Sequence, residues 1–332
     1  MKKTLFVAAL LATTAAGGTT AYATNYNYLC TTDRCTPNLA DFLQNLDGIQ
    51  TAINLIVDID DANTIVQEAV NAGNLVNIET DIDLANVEQN ASVYQFASNL
   101  LDGDAWFFNS SDMTGVTQSA TNVANSISSD SLVKAAKQTA GDAQMASNAV
   151  LGTYGSKLYD LQQAATNVVN TVTAGTSKTV NQYSTTDQVA VNVIYGGWGG
   201  YDADAVDWED DVEDVSTQAA VNAANLVNLD SLTGAIKQTS YGSQDAINKA
   251  IFSGNVYDLG QSATNVANSV SVGSITPAVF DCLCYDGWEV NQLANVDQFA
   301  KNLLVTVGDV NNTIQSATNI ANSINVATPT AP

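Results

Sequence analysis

The sequence predicts an all-β protein, a β-solenoid of about twelve short coils, and three observations lead to this prediction. Nearly every glutamine belongs to one recurring motif. The polar residues of that motif share one side of an extended chain, because alternate side chains of a strand point the same way. The motif returns about every 24 residues on average, a length that suits one strand-turn-strand coil.

The motif is a five-residue box, Q-x-A-x-N, that occurs twelve times between residues 50 and 319. Eighteen of the nineteen glutamines lie in a box or six residues upstream of one, which indicates a structural role for this residue. The box glutamines are Gln50, Gln67, Gln95, Gln118, Gln144, Gln163, Gln188, Gln218, Gln244, Gln261, Gln298 and Gln315. The box asparagines are Asn54, Asn71, Asn99, Asn122, Asn148, Asn167, Asn192, Asn222, Asn248, Asn265, Asn302 and Asn319.

Two kinds of box alternate, so the true repeat holds two boxes and is present six times. One kind carries a further glutamine six residues upstream, and the other carries an asparagine three residues downstream. The upstream glutamines are Gln44, Gln89, Gln138, Gln182, Gln238 and Gln292. The downstream asparagines are Asn74, Asn125, Asn170, Asn225, Asn268 and Asn322.

The choice between strand and helix depends on periodicity. With a period of two, the residues Val87, Gln89, Ala91, Val93, Gln95, Ala97, Asn99 and Leu101 share one face without a slip. A helical period also gives an apolar stripe in some boxes, for instance Val116, Ala120, Val123 and Ile127, so an α-helical repeat is the alternative. The Asn, Thr and Val content disfavours helices, and Val and Thr favour strands.

If the coils are β, stacking them aligns equivalent boxes. Each Gln or Asn side chain can then donate to and accept from its counterpart one strand away, which forms a ladder. A buried amide without a ladder partner would cost about 1–3 kcal/mol, which explains why glutamine is kept in register. Twelve coils at about 4.8 Å each would form a rod of roughly 58 Å.

The N-terminus resembles a secretory signal at residues 1–23, with Lys2 and Lys3, an apolar run and an A-x-A site ending at Ala23. The sequence therefore predicts a secreted, extracellular or cell-surface protein with no membrane span. The remaining divisions are an N-terminal segment at 24–43, the repeat domain at 44–325 and a tail at 326–332. The repeat domain carries an acidic insertion at 195–215 and a cysteine insertion at 275–289.

Charge indicates which partners are disfavoured, and cysteine content indicates possible disulfides or a zinc site. The formal net charge is −24, which argues against nucleic acid. The four cysteines, Cys30, Cys35, Cys282 and Cys284, are disulfide candidates in an oxidising compartment, with three pairings open. A zinc site at these four residues is the alternative.

The sequence predicts no enzyme, because no catalytic constellation is present. Histidine is absent, which excludes His-dependent triads and bases. The run from Tyr201 to Val215 is rich in carboxylates, either as a solvated loop or as a calcium site. No other cofactor is expected. Six aromatic residues near the insertions could stack on sugars or form local loop cores: Trp106, Phe107, Phe108, Trp198, Trp208 and Trp288.

The spacing resembles the curlin repeat, the unit of the secreted subunits of curli-type functional amyloid. The stretch from Ile236 to Ala246 is most similar, and 290–302 and 87–99 follow the same form. The resemblance implies a secreted β-solenoid that polymerises end to end into extracellular fibres of a biofilm matrix. It also implies accessory proteins that export and nucleate the subunit.

Two functions follow as hypotheses. The first is a structural protein that self-associates through its terminal coils into extracellular fibres, with Gln and Asn ladders as the cohesive element. The second is a cell-surface adhesin or binding module, in which the repeats are a scaffold and the aromatic and acidic insertions contact glycans or calcium. Deleting the insertions separates them, because a fibre former would still assemble.

Overall fold

In a computed structural model, the chain is described over residues 12–16, 19–25, 30–31, 34–35, 40–59, 61–78, 83–103, 112–152, 158–196, 216–252, 255–275, 289–306 and 308–327. The strands are β1 (Ala12–Ala16), β2 (Thr19–Asn25), β3 (Cys30–Thr31), β4 (Arg34–Cys35), β5 (Ala40–Ile59), β6 (Asp61–Ile78), β7 (Leu84–Gly103), β8 (Asp112–Gly141), β9 (Ala143–Gly152), β10 (Leu158–Ser184), β11 (Asp187–Gly196), β12 (Ser216–Phe252), β13 (Val256–Tyr257), β14 (Leu259–Ile275), β15 (Glu289–Val305), β16 (Val310–Asn311) and β17 (Ile314–Val326). These described residues contain no helix, so the all-β prediction is confirmed. The α-helical alternative is not supported, since even the alanine-rich stretch from Ser131 to Leu151 is extended.

Strand parity decides which side chains are buried. In β7, every second residue from Gln89 to Asn99 is buried, including Gln95 and Ala97, while the residues that alternate with them are partly or fully exposed. Each strand therefore buries a face of amides and small apolar groups and turns the alternate residues outward. This is the face that the period-two pattern predicts.

The strands pair in parallel as two stacks of six. Stack 1 holds the boxes with an upstream glutamine and consists of β5, β7, residues 133–152, residues 176–196, residues 235–252 and β15. Stack 2 holds the boxes with a downstream asparagine and consists of β6, residues 112–129, residues 158–174, residues 216–232, β14 and β17. The chain alternates between the stacks, because each two-box repeat gives one strand to each.

The register places boxes of the same kind side by side, but it gives half the predicted number of layers. Gln95 lies beside Gln50 and Gln144, whereas Gln67 of the intervening box lies beside Gln118 in the other stack. The prediction of about twelve layers is therefore wrong: six layers are present, with two boxes in each. At about 4.8 Å per strand this gives roughly 29 Å along the stacking direction, not 58 Å.

The two stacks face each other across a core that is thinnest at the boxes. The box alanines of both stacks pack together in one cluster. Its buried members are Ala52, Ala69, Ala97, Ala120, Ala146, Ala165, Ala190, Ala220, Ala246 and Ala263. A methyl group at this position lets the sheets come close enough for amides on one stack to reach the backbone of the other.

The strands of stack 1 bend between the upstream glutamine and the box. Three residues in this segment have positive φ: Gly48 at 134°, Asp142 at 74° and Gly242 at 112°. At Gly242 a Cβ atom would lie 2.8 Å from the Thr186 carbonyl oxygen, so both the conformation and the close approach require glycine. A groove lies on the outer surface of stack 1 beside these bends.

The first strand of stack 1 has an unusual neighbour. The strands β1 and β2 pair antiparallel with β5, from Ala12 opposite Ile53 to Asn25 opposite Ala40. Every pairing within the two stacks is parallel, so this N-terminal segment covers one edge without continuing the ladder pattern. None of the described residues belongs to a helix long and apolar enough to cross a membrane.

Candidate functional site

The glutamines form three ladders of side-chain hydrogen bonds, two in stack 1 and one in stack 2. In each ladder the Nε2 group of a later glutamine donates to Oε1 of the preceding one, at 2.6–3.1 Å. The bond from Gln144 to Gln95, for example, is 2.6 Å long. The donor always lies on the C-terminal side, so the glutamine ladders have a direction.

The asparagines form three further ladders that run in the opposite direction. Here Nδ2 of an earlier asparagine donates to Oδ1 of the following one, at 2.8–3.0 Å. The series begins at Asn54, Asn71 and Asn74. Glutamine and asparagine therefore supply amide rows of opposite polarity along one core.

Backbone carbonyl groups of the opposite stack accept the second hydrogen of these amides. Gln144 Nε2 also donates to the Val168 carbonyl at 3.1 Å, and Asn122 Nδ2 donates to the Met145 carbonyl at 2.8 Å. Because a carbonyl oxygen only accepts, the nitrogen of each amide must face the opposite sheet. Each such amide thus uses one hydrogen along its ladder and the other across the core.

The ladders end on complementary faces, which we call the head and the tail. The head is formed by β5 and β6, where the oxygens of Asn54, Asn71 and Asn74 receive no ladder donor. The tail is formed by β15 and β17, where the oxygens of Gln292, Gln298 and Gln315 receive none. Conversely, head glutamines donate across the core but not along the ladder, as Gln50 does to the Ala72 carbonyl at 3.1 Å.

Large apolar side chains are exposed at both ends. Val66 on the head is 72% exposed and Ile314 on the tail is 73% exposed, and both occupy the position just before a box glutamine. Val57 and Val305 are also exposed and both lie seven residues after one. Each pair would be adjacent if a tail strand and a head strand were neighbours in register.

One ion pair marks the outer face of stack 1. Lys137 Nζ lies 2.8 Å from Glu88 Oε1, and both side chains are largely exposed. The hydrogen bond from Lys137 lowers the pKa of Glu88, against a smaller opposing effect of burial. In the described part of the chain, no group of three or more Cys, Asp or Glu residues could hold a metal ion.

Several predicted site residues lie outside the described residues. These include Cys282, Cys284, the acidic run 201–215 and the aromatic residues Trp106, Phe107, Phe108, Trp198, Trp208 and Trp288. Cys30 lies opposite Cys35 in the short antiparallel pair of β3 and β4. Disulfide pairing and calcium binding therefore stay predictions.

Sequence reasoning missed two features of this site. It found the ladder residues but not the opposed polarity of the glutamine and asparagine rows, which depends on carbonyl groups across the core. It also missed a groove on the outer face of stack 1, since its lining residues lie outside the boxes. Comparison with known proteins finds no matching family model, no matching curated protein and no matching solved structure.

Proposed function

We propose that this chain is a secreted structural protein, a six-coil β-solenoid whose copies join head to tail into extracellular fibres. The observation that carries the proposal is the opposed polarity of the ladders. It leaves the head with free glutamine N–H groups and asparagine oxygens, and the tail with the converse set.

Joining a tail to a head in parallel register would extend all six ladders. Three glutamine bonds would form from Gln44, Gln50 and Gln67 of one copy to the tail oxygens of the next. Three asparagine bonds would run the other way, from Asn302, Asn319 and Asn322 to the head. Two heads facing each other would pair their strands antiparallel, which cannot continue the parallel ladders, so the ladders favour head-to-tail contact. Such a contact does not close on itself and generates an open filament.

The energies indicate that more than the ladders is needed. Six hydrogen bonds at about 0.5–1.5 kcal/mol each supply roughly 3–9 kcal/mol. Association costs an estimated 4–15 kcal/mol or more in lost translational and rotational freedom. Backbone pairing of the end strands and contact between Ile314 and Val66 must therefore contribute.

The proposal is tested by following the purified chain that begins at Thr24. Circular dichroism over time should show a β spectrum, and electron microscopy should then show fibres. Fibre diffraction should give a meridional spacing of about 4.7 Å, the distance between paired strands. A chain that remains monomeric at concentrations where its core is folded would contradict the proposal.

The N-terminal segment provides a second test, because β1 and most of β2 lie within the predicted signal peptide. In the whole chain these strands pair with β5 and cover the stack 1 half of the head. We expect the chain that retains residues 1–23 to assemble more slowly than the chain that begins at Thr24. Thioflavin fluorescence and sedimentation would measure both rates. Equal rates would show that the covered edge plays no part in assembly.

A further inference from the structure

A groove follows the outer face of stack 1, beside its bends. Its main part has a volume of about 700 Å³ and lies over the third to sixth strands. A smaller depression of about 270 Å³ shares Thr139 and Tyr183 with it and lies over the first four strands. Together they cross six strands at about 4.8 Å spacing, so the groove is roughly 24 Å long.

One side chain from each strand forms a row along the groove. The row occupies the position just after the upstream glutamine and follows the parallel register. Its members are Asn45, Asn90, Thr139, Tyr183, Thr239 and Leu293. The floor therefore presents amide, hydroxyl and aromatic groups in a line parallel to the stacking direction.

Two tyrosines form the aromatic part of the groove. The rings of Tyr183 and Tyr241 lie 6.0 Å apart between centroids and are tilted by 58°. Tyr183 is 42% exposed, so its ring is accessible from the groove. Exposed, fixed aromatic rings beside polar groups suit a ligand that has both apolar faces and hydroxyl groups.

Polar side chains in the groove have capacity left for a ligand. Within the described chain, the side chains of Asn181, Lys237 and Thr239 make no hydrogen bond, and all three line the groove. The buried amides on the inner face are, in contrast, bonded along the ladders and across the core. The unused donors and acceptors thus lie on the outer surface beside the tyrosines.

Charge decides the class of ligand. Lys137 is paired with Glu88, which leaves Lys237 as a single unpaired cation among the lining residues, with no Asp or Glu in the main part of the groove. A polyanion would be repelled by the net charge of −24, and a polycation would find no carboxylate in the groove. We propose that this groove binds a neutral linear polysaccharide along the stacking direction. The proposal does not depend on fibre formation.

The test uses the folded chain beginning at Thr24 at a concentration where it is monomeric. Isothermal titration calorimetry with cellohexaose, and affinity electrophoresis in mixed-linkage β-glucan, should both detect binding. Polygalacturonate, an acidic polymer, should not bind. The double substitution Tyr183→Ala with Tyr241→Ala should weaken binding about tenfold or more, since it removes both aromatic faces on which a sugar ring can stack.

The matched control is Tyr94→Ala with Tyr257→Ala. These two tyrosines are exposed to a similar extent, at 54% and 48%, but do not line the groove. The control should bind as the unmodified chain does, and both double variants should keep the same β spectrum. Failure of both neutral glycans to bind, or equal loss in the two variants, would overturn the proposal. So would tyrosine-dependent dimerisation without glycan binding, because the groove would then be an interface between two copies.

Discussion

Replacing Asn167 with alanine should destabilise the fold by about 3–6 kcal/mol, because it interrupts an asparagine ladder at its centre. Asn167 is fully buried. Its Nδ2 group donates to Asn222 Oδ1 at 2.9 Å and to the Val189 carbonyl at 2.8 Å, and its Oδ1 accepts from Asn122 at 2.9 Å. The substitution leaves one donor and two acceptors buried without these partners.

This loss is a large fraction of the free energy of unfolding of a typical domain, which is about 5–15 kcal/mol. Urea unfolding of the monomer, followed by circular dichroism, measures the change. The matched control is Asn319→Ala in the last strand of the same ladder. Asn319 is exposed, so water can replace its bonds to Asn265 and to the Gln298 carbonyl, and the expected loss is below about 1 kcal/mol. Similar losses at both positions would show that the ladder does not stabilise the core.

The strand register could be predicted from sequence because two features of the boxes specify it. Alternation of side chains specifies which face is buried, and a slip of one residue would expose every glutamine. The alignment of Gln50 with Gln95 rather than Gln67 was also encoded, in the upstream glutamine that only the first two share. The prediction of one coil per box overlooks this difference, from which the two stacks follow.

The rest of the site could not be read from the sequence for physical reasons. Ladder direction depends on where a backbone carbonyl of the opposite sheet lies, as at Val168 for Gln144. The groove lies beside the bend at Gly242, and parallel pairing brings Tyr183 and Tyr241 together from strands that are far apart in sequence. Local patterns specify a strand and its buried face, but not the curvature of the completed sheet.

Placing three aspartates at the tail should weaken head-to-tail association about a hundredfold or more, which slows fibre assembly at a given concentration. The variant combines Asn302→Asp, Asn319→Asp and Asn322→Asp. Each aspartate can still accept the hydrogen bond from the preceding asparagine, such as the 2.9 Å bond from Asn248 to position 302. None can donate to the asparagine oxygens of an incoming head, which would meet a negative charge instead. Because positions 302 and 319 also lose their bonds to the Ser316 and Gln298 carbonyls, urea unfolding must show that the variant stays folded. Three lost bonds at about 1 kcal/mol each give the hundredfold change.

The control must add the same charge to the same strands without touching the ladders. Asn291→Asp, Asn295→Asp and Asn325→Asp do this, since all three residues are exposed and belong to none of the six ladders. Light scattering and electron microscopy should show normal fibres for the control and soluble, folded monomer for the ladder variant. If both variants assemble equally slowly, charge repulsion alone explains the effect. If neither is slowed, the tail asparagines are not the joining surface, and head-to-tail extension of the ladders is wrong.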